Sequence, residues 1–460
     1  MSSPLPLLLL LLATAGATAP PSAADRALAR EVFKELIEID TSHSVGDTTR
    51  AAEAVAARLR RAGVPAADIQ VLGPSKKRGN LVARLHGRGR QPPLLLLAHL
   101  DVVEARRSDW SVEPFTFLEQ GGFFYGRGTQ DDKGLAAIWV ATFLRLQREH
   151  APLDRDVILA LTADEEGGPD NGVKWLLANH RPLVDAALCF TEGGGGEMKD
   201  GRRLSLDVQA SEKGYLTFAL EVINKGGHSS LPEPDNAIAR LGEAVARVQR
   251  HSFPVTLTPV TRAYFAQMAG IERGPLGADM RAVAADRPDA AAAERLSKIP
   301  LYNARLRTTC VPTTIEGGHA ENALPQKARA TVNCRLLPGD TPEAVQRALA
   351  AAIADPGVVL STLTPLDPSP ASPLPPALLE AVSRAGAPVW PGVPVLPTLL
   401  AGATDGRFLR AAGIPTYGMT GLFVDVGDIR AHGKDERLPV ASFYEAQDFL
   451  WRVVRALTGG

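Results

Sequence analysis

Residues 94–105 read LLLLAHLDVVEA, a run of four leucines that leads directly into His99, Leu100 and Asp101. An unbroken apolar run of this kind is typical of a strand buried on both faces of a parallel sheet. Side chains at positions i and i+2 of a strand lie on one face, so His99 and Asp101 would sit together at the strand's end. The pair either belongs to a functional site or is structural, with His99 closing a core strand and Asp101 opening a turn.

Helical and strand patterns alternate on both sides of this run. Apolar residues recur at helical spacing in 24–39 and 48–63, and a second strand-like segment lies at 80–87. The pattern continues with a helix at 134–150, a strand at 156–164, a helix at 173–180 and a strand at 186–192. Alternation of this kind predicts an α/β fold, in which helices sandwich a mostly parallel sheet.

The order of strand and helix patterns changes after residue 203. Strand patterns at 204–224 and 323–339 alternate with helical patterns at 236–251 and 342–354. Two helices with four strands predict a small ferredoxin-like α+β domain inserted into the larger one. Residues 254–301 fit neither pattern and are interpreted as a partly helical insertion.

A Pro-rich stretch at 362–376 has the composition of a domain boundary. We therefore expect a signal peptide at 1–24, the large domain at 25–210 and 363–460, and the inserted domain at 211–362.

The overall composition is that of a globular protein without a strong electrostatic field. Lys and Arg number 50 against 51 Asp and Glu, which gives no reason to expect binding to nucleic acid or to an anionic membrane. The cysteines, Cys189, Cys310 and Cys334, are too few for a disulfide scaffold. We expect them to be buried thiols.

The amino-terminal residues resemble a secretory signal. A leucine run at 7–12 is followed by small residues, with Ala17-Thr18-Ala19 as one cleavage site of the A-x-A type. The run is too short for a stable membrane anchor. No Lys or Arg precedes the leucines, so a slightly apolar cytosolic tail is the alternative to export into a periplasm or out of the cell.

Acidic and histidine residues recur where predicted strands end. They are Asp131 and Asp132 in GRGTQDDKG, Glu165 and Glu166 in TADEEGG, Glu192 in FTEGGGG, and His432 and Glu436 in RAHGKDE. Each has a structural explanation alone, such as a helix cap or a solvated turn. Together with His99, at the edge where an α/β sheet binds its ligands, they predict a functional site.

The order H-x-D, GRG-x-x-D-D-K-G, D-E-E-G, E-G-G and H-G-K-D-E resembles the co-catalytic zinc aminoacylase and carboxypeptidase family. That family includes aminoacylase, carnosinase, carboxypeptidase S and succinyl-diaminopimelate desuccinylase. The resemblance extends from about Asp25 to Gly460. The motifs SEKGYL and GGHSSLPEPDNAI look most like the carboxypeptidase S and N-acyl-amino-acid hydrolase branch.

The resemblance implies two metal ions bridged by Asp131. Glu166 and His432 would complete one site, and His99 and Glu192 the other. Nitrogen and carboxylate oxygen ligands suit zinc, with cobalt or manganese as alternatives.

Two further residues of the large domain acquire roles from the same resemblance. Asp101 would accept the second ring N–H of His99, which fixes the tautomer of a metal ligand. Glu165 matches the family's general base, which takes a proton from water as it attacks an amide carbonyl and returns that proton to the leaving amine.

The remaining family residues concern substrate recognition. The resemblance implies that His228 reaches the site from a partner subunit and stabilises the oxyanion, with Asn322 near the same oxyanion. Arg335 resembles the arginine that pairs with the substrate carboxylate. The GATDGRF loop, with Thr404 and Arg407, resembles a substrate-facing loop.

These resemblances predict a two-zinc hydrolase that acts on N-acyl amino acids or on short peptides at the C-terminal residue. A carnosinase-type dipeptidase is the alternative enzyme, and a catalytically silent binding or dimerisation module is the alternative outside enzymes. We expect a homodimer through an edge strand in 211–224 that adjoins the helix at 236–251. A monomer whose insertion at 254–301 forms a larger lid is the other possibility.

Overall fold

A computed structural model describes residues 19–459. The leucine run of the predicted signal peptide lies outside these residues. No helix in the described part of the chain is long and apolar enough to cross a membrane. The described chain divides into two compact units. The first contains the residues up to Ala210 together with Ser372–Pro397 and Thr404 onward, and the second contains Ser211–Ala371 and Thr398–Ala403.

The chain up to residue 212 alternates helices and strands, as the sequence pattern predicts. The helices are α1 (Ala23–Ile37), α2 (Thr48–Arg61), α3 (Lys133–Arg148), α4 (Gly172–Asn179) and α5 (Arg181–Val184). The strands are β1 (Ile69–Leu72), β2 (Asn80–Leu85), β3 (Leu94–His99), β4 (Leu118–Gln120), β5 (Phe123–Tyr125), β6 (Val157–Thr162), β7 (Leu188–Thr191), β8 (Gly196–Lys199) and β9 (Arg202–Glu212).

The middle of the chain builds the second unit. Its strands are β10 (Gly214–Ile223), β11 (Gly227–His228), β12 (Thr309–Gly317), β13 (Ala323–Leu324), β14 (Lys327–Leu336) and β15 (Val359–Thr364). Its helices are α6 (Ala237–Arg250), α7 (Pro259–Ile271), α8 (Pro275–Ala284), α9 (Ala290–Ser297), α10 (Pro300–Leu306) and α11 (Pro342–Ile353).

The carboxyl-terminal part returns to the first unit, apart from Thr398–Ala403, which belong to the second. It contains α12 (Pro376–Gly386), β16 (Val395–Leu400), α13 (Gly406–Ala411), β17 (Thr416–Gly418), β18 (Phe423–Asp425), β19 (Arg437–Pro439) and α14 (Val440–Thr458).

The large sheet has the strand order β1-β2-β6-β3-β7-β17-β9-β8-β18, with β16 beside β9. The centre is parallel, since β3 pairs in parallel with β6 and β7, and β7 with β17. Every residue of β3 and β6 is buried, which explains why both strands read as continuous apolar runs. Helix α3 packs against both strands and is buried from Lys133 to Leu146. The α/β fold predicted from the sequence is confirmed.

The second unit contains an antiparallel sheet of order β12-β14-β10-β15. With α6 between β10 and β12, and α11 between β14 and β15, it forms the βαββαβ arrangement of a ferredoxin-like domain. Leu216, Phe218 and Val332 point from the sheet into a core shared with Leu241 of α6 and Leu349 of α11. The predicted ferredoxin-like fold is therefore present.

The helices α7 to α10 lie between α6 and β12 in the chain. They correspond to the insertion predicted at 254–301, and short non-helical segments separate them, in agreement with the partly helical insertion expected from the sequence. Tyr264 and Phe265 of α7 are buried within them. The guanidinium of Arg305 stacks 4.0 Å from the Tyr264 ring centroid, a cation–π contact that fastens α10 to α7.

The structure corrects the position of the edge strand in the second unit. Residues 211–224, predicted to supply an edge, contain the whole of β10, which pairs with β14 on one side and β15 on the other. The first strand of a βαββαβ unit lies inside the sheet because the fourth strand returns alongside it. The edges of this sheet are β12 and β15.

The prediction of three buried thiols is wrong for two of the cysteines. Cys310 and Cys334 form a disulfide, and Cys189 remains a buried thiol. The reason is strand register: Cys310 of β12 lies directly opposite Cys334 of β14, with 4.1 Å between their Cα atoms. This pairing depends on long-range strand alignment, which residue spacing alone does not reveal.

Candidate active site

Three neighbouring parallel strands, β6, β3 and β7, end at one edge of the large sheet. In their register His99 pairs with Thr162, and Leu96 pairs with Phe190. The residues that follow these strands therefore emerge side by side. Glu165 and Glu166 come after β6, and Glu192 comes directly after β7. The parallel register thus assembles a site from segments far apart in sequence.

A loop between β5 and α3 adds Asp131 to this edge. The adjacent Asp132 is the N-cap residue of α3, and the backbone N–H of His99 donates to its Oδ2 at 3.3 Å. The peptide bond between Asp131 and Asp132 is cis. The hydrogen bond from His99 joins this loop to the end of β3 and places Asp131 beside His99.

Two groups of side chains could each hold a metal ion, and they share one member. His99, Asp131 and Glu192 form the first group, and Asp131, Glu166 and His432 form the second. In each group one ligand atom per residue lies within 4.8 Å of the others. The structure therefore brings together all five side chains proposed as metal ligands, with Asp131 common to both groups.

The closest distances run through Asp131. His99 Nε2 lies 2.9 Å from Asp131 Oδ1, and His432 Nε2 lies 3.2 Å from Asp131 Oδ2. His432 Nε2 is also 2.9 Å from the Glu166 carboxylate. Each oxygen of Asp131 thus faces a different imidazole, the arrangement that a bridging carboxylate requires.

The second ring nitrogen of His99 contacts Asp101 in a different way from the one expected. Nδ1 lies 3.0 Å from the backbone carbonyl oxygen of Asp101 and 3.6 Å from its carboxylate. The carboxylate instead accepts the backbone N–H groups of Glu165 at 3.2 Å and Glu166 at 3.0 Å. Asp101 therefore orients His99 through its main chain and holds the Glu165-Glu166 turn through its side chain.

Glu436 has a positioning role that sequence analysis did not assign. Its buried carboxylate accepts hydrogen bonds from the backbone N–H groups of Gly128, Gln130 and Asp131, at 2.7 to 3.2 Å. Arg127 Nη1 donates to the same carboxylate at 2.6 Å. Glu436 follows His432 in the HGKDE motif, so one motif supplies a candidate ligand and fixes the loop of another. The motif is the only sequence signal for this role.

Asp405 is a second residue that sequence analysis missed. It is buried, accepts a hydrogen bond from Asn171 Nδ2 at 2.6 Å, and lies 3.3 Å from the Thr162 hydroxyl oxygen. Burial raises the pKa of Asp405 to about 6. The GATDGRF motif predicts Thr404 and Arg407, and Asp405 between them carries no separate sequence signal.

Negative charge is concentrated in the site. Burial raises the pKa of Glu165 and of Glu192 well above the usual range, and neighbouring carboxylates raise it further. Hydrogen bonds with Asp131 and Glu166 raise the pKa of His432 to about 10. A group of half-buried carboxylates with two imidazoles beside it is an environment suited to cations.

The donor set fits divalent metal ions. Two imidazole nitrogens and three carboxylates match the ligands that zinc takes in catalytic sites, where positions remain open for water and substrate. The contact of His99 Nδ1 with a backbone carbonyl is typical of histidine ligands, because it fixes the tautomer that leaves Nε2 free for metal.

The second unit brings together two of the predicted recognition residues. His228 of β11 pairs with Ala323 of β13, and the backbone N–H of Ser229 donates to the carbonyl of Asn322 at 3.1 Å. His228 is exposed, and its Nδ1 lies 2.7 Å from the Ser230 hydroxyl oxygen. His228 and Asn322 thus occupy one short hairpin.

Arg335 lies in the sheet of the second unit. It pairs with Tyr215 of β10 and with Thr309 of β12, and its guanidinium stacks over the Tyr215 ring at 4.7 Å. A flat guanidinium held against an aromatic ring has a defined orientation.

The two residues predicted from the GATDGRF loop lie at the start of α13. Thr404 is buried, and its Oγ1 accepts the backbone N–H of Gly406 at 3.1 Å. Arg407 Nη1 donates to the carbonyl of Thr404 at 3.3 Å, and its guanidinium lies 4.4 Å from the Phe408 ring centroid.

The model of peptidase family M20/M25/M40 matches residues 95–456, which include every candidate metal ligand. The chain belongs to this family. M20 proteins are metal-dependent hydrolases, and the resemblance seen in the sequence motifs is thereby confirmed.

A curated M20 relative is the human N-fatty-acyl-amino acid synthase/hydrolase PM20D1. It is 30% identical over 374 residues, which cover 79% of this chain and 74% of the human protein. The similarity supports an enzyme that acts on amide bonds, since that relative is named for an N-acyl amino acid.

Solved M20 structures share the fold over nearly the whole chain. A metallo-carboxypeptidase from Sulfolobus solfataricus, Sso-CP2, superposes with a TM-score of 0.71 at 17% identity and covers 93% of this chain and 99% of its own. Human carnosine dipeptidase 1 gives a TM-score of 0.63 at 17% identity, with 95% and 99% covered. At these identities the structures establish the M20 fold and leave the substrate open.

Proposed function

We propose that this M20 protein is a two-zinc hydrolase that cleaves an amide bond next to a free carboxylate. Its substrates would be N-acyl amino acids, or short peptides cleaved at the C-terminal residue. The observation that carries the proposal is the pair of donor groups that share Asp131, with Glu165 in the turn beside them.

Five side chains would hold the zinc ions. Asp131 would bridge them, Glu166 and His432 would complete one site, and His99 and Glu192 the other. Bound zinc supplies Lewis acidity, which polarises the amide carbonyl and lowers the pKa of water toward 7. Cobalt or manganese would suit the same nitrogen and oxygen donors.

Glu165 would carry the proton. Burial raises the pKa of its carboxyl above that of an ordinary glutamate. A positioned carboxyl group can accept a proton in one step and donate it in the next. It would take a proton from the attacking water and deliver it to the nitrogen of the leaving amine. Glu166, the next residue, contacts His432. It would bind metal and take no part in proton transfer.

The second unit would supply substrate recognition. Arg335 would pair with the free carboxylate, because a guanidinium offers two parallel N–H donors. His228 and Asn322, on their shared hairpin, would stabilise the oxyanion. Thr404 and Arg407 would face the substrate from the first unit.

We also propose that the active enzyme is a homodimer in which His228 acts on the partner's site. Of the two edges of the small sheet, β12 is the better candidate for the contact. It packs beside α6, and Val311, Ile315 and Ile238 are exposed along these two elements. An exposed edge strand with apolar side chains is suited to pairing with its copy across a two-fold axis.

Export through the amino-terminal signal is part of the proposal. The Cys310–Cys334 disulfide supports it, because disulfides persist mainly in oxidising compartments outside the cytosol.

A dipeptidase of the carnosinase type is the second candidate, because carnosine dipeptidase 1 has the same fold. A silent binding module is less well supported, since every candidate metal ligand and Glu165 are in place. Hydrolysis assays with matched panels of N-acyl amino acids and dipeptides, with and without chelator, separate these possibilities. We expect chelator-sensitive cleavage of N-acyl amino acids. Cleavage of dipeptides alone would favour the second candidate, and no cleavage of either would favour the third.

A further inference from the structure

The turn that presents Glu165 begins with a residue in an unfavourable backbone conformation. Asp164 has a φ of +57°, in the left-handed region that non-glycine residues rarely adopt. It links the end of β6 to Glu165, so its backbone angles set the direction in which the Glu165 side chain leaves the sheet. Aspartate tolerates this conformation better than most residues with a Cβ, but it still costs free energy, which surrounding contacts must offset.

The side chain of Asp164 is held by Arg78. Arg78 Nε lies 2.8 Å from Asp164 Oδ1, and the side chains are only 11% and 2% exposed, respectively. The other two nitrogens of the same guanidinium reach a separate loop: Nη2 donates to the carbonyl of His43 at 2.6 Å, and Nη1 to that of Gly46 at 3.4 Å. One side chain thus joins the turn before Glu165 to residues 43–46.

The surroundings leave Asp164 little room to move. A Cβ on Gly168 would lie 2.4 Å from Asp164 Oδ2, so the backbone of the turn closes over the carboxylate. Asn171 Nδ2 donates to the carbonyl oxygen of Asp164 at 3.2 Å, and the Asp101 carboxylate holds the N–H of Glu165. These contacts fix the backbone of the turn. The Asp164 side chain pairs with Arg78 at 2.8 Å, and the His43 ring lies farther away, with its Nδ1 3.8 Å from the same oxygen.

We propose that Arg78 is a positioning residue for Glu165, acting through its ion pair with Asp164 and its anchorage to residues 43–46. The inference rests on the proposed role of Glu165 as the base. Without Arg78, the buried carboxylate of Asp164 would lose its closest cationic partner, and the left-handed turn would relax. A displacement of about 1 Å at a catalytic group costs about 10²-fold in rate.

Arg78 and Asp164 form part of the wall of an open cleft of about 440 Å³. His43, Lys77 and Asp170 also line this cleft. Removal of the Arg78 side chain would therefore leave Asp164 accessible to small cations from solution. Guanidinium ion has the shape and charge of the missing group, so it can replace the lost contact in an Arg78→Ala protein.

The test compares Arg78→Ala with wild type and with a matched control, Arg84→Ala. Arg84 makes an ion pair of 3.0 Å with Asp156, which precedes β6, whereas Asp164 follows it. We expect Arg78→Ala to lower kcat by about 10²-fold with KM and metal content little changed. Guanidinium at millimolar, non-denaturing concentration should restore part of kcat. Arg84→Ala should keep its kcat and show no response to guanidinium.

A double variant separates positioning from general stability. If Arg78 acts through Glu165, Arg78→Ala should cause no further loss of kcat in a Glu165→Gln background, and guanidinium should restore nothing there. Three results would overturn the inference. Folded Arg78→Ala could keep full kcat, its loss of kcat could persist in guanidinium, or the losses in the double variant could be additive. If Arg78→Ala does not fold, Arg78→Lys carries the test: a reduced kcat is expected, and an unchanged kcat overturns the inference.

The proposed function and this inference fail in different ways. A Glu165→Gln protein as active as wild type would remove the proposed base whatever Arg78→Ala does. An inactive Glu165→Gln protein beside a fully active Arg78→Ala protein would remove only the role of Arg78.

Discussion

Glu165 and Glu166 are adjacent carboxylates with different surroundings. Glu166 lies 2.9 Å from His432 in a candidate metal group, whereas Glu165 belongs to neither group and has a pKa raised by burial. The Asp101 carboxylate holds both backbone N–H groups, so the turn directs one side chain toward the metal ligands and leaves the other free. This difference supports the separate roles proposed for the two residues.

The two roles predict opposite behaviour for two conservative variants. Glu165→Gln should keep its metal but lose about 10²–10⁴-fold in turnover, the contribution of a positioned general base. Glu166→Gln should lose metal affinity, because an amide is a weaker ligand than a carboxylate. Metal content by mass spectrometry and steady-state kinetics measure both effects. Metal loss in Glu165→Gln with retention in Glu166→Gln would reverse the assignment.

Lys213 is a buried amine in the second unit and predicts a pH dependence of stability. Its Nζ donates to the carbonyl of Arg307 and to the Thr309 hydroxyl, both at 2.9 Å. Burial, with Arg335 nearby, lowers its pKa to about 7 from 10.5. The unfolded chain therefore binds more protons than the folded chain between these values, so the free energy of unfolding should rise as pH increases from 7 to 10.

A Lys213→Met variant should lose this dependence. Each pKa unit corresponds to about 1.4 kcal/mol, so the difference in unfolding free energy between wild type and variant should change by a few kcal/mol over that range. Denaturant unfolding of both proteins at pH 7, 8, 9 and 10 provides the measurement. A difference that stays constant with pH would show that Lys213 titrates normally in the folded protein.

The end residues of β3, β6 and β7 could be predicted from the sequence, because parallel strands meet at one edge and carry ligands there. That rule alone brings His99, Glu165 and Glu192 together. It does not predict the contact of Asn171 with Asp405, which joins side chains 234 residues apart. Contacts of this kind depend on how distant elements pack, and no local motif encodes them.

In the small sheet, the strands themselves could be predicted from the sequence, but their neighbours could not. Alternating apolar residues predicted strands within 204–224, where β10 lies, yet the interior position of β10 follows from the return of β15 beside it. The disulfide likewise depends on the alignment of β12 with β14. Strand pairing is a long-range property, so its register and neighbours are less accessible to sequence analysis than the strands themselves.

The disulfide should stabilise β12 against β14. It closes a loop with a sequence separation of 24 residues, and cross-links of this size contribute about 3 kcal/mol by restricting the unfolded chain. Cys310→Ser/Cys334→Ser, or reduction of the wild type, should lower the unfolding temperature, as measured by calorimetry. Cys189→Ala should respond to reductant as wild type does. Equal unfolding temperatures with and without reductant would show that the bond contributes nothing.

The arrangement of the whole molecule decides how His228 works. If it acts in the partner's site, His228→Ala and Glu165→Gln proteins should each be nearly inactive, since loss of one oxyanion donor costs about 10²–10³-fold. Subunit exchange between them should rebuild one site with both groups intact in each heterodimer. The recovered activity is measured after exchange is verified by native mass spectrometry.

No recovery despite verified exchange would place His228 in its own chain's site or outside any site. A fully active monomer in sedimentation experiments would exclude the partner arrangement directly. In that case the helices α7 to α10 become the element to examine, since they enlarge the second unit between α6 and β12.

The number of metal ions bound per chain depends on the ligand that the two donor groups share. Asp131 belongs to both donor groups, so Asp131→Asn should lose both ions, whereas Glu192→Gln should keep the ion held by the other group. The most direct measurement is reconstitution of chelated wild-type protein with zinc, in which bound metal and hydrolysis of an N-acyl amino acid are followed together. We predict no activity without metal and full activity at two zinc ions per chain. Full activity at one ion per chain, or activity indifferent to chelation, would contradict the two-metal site.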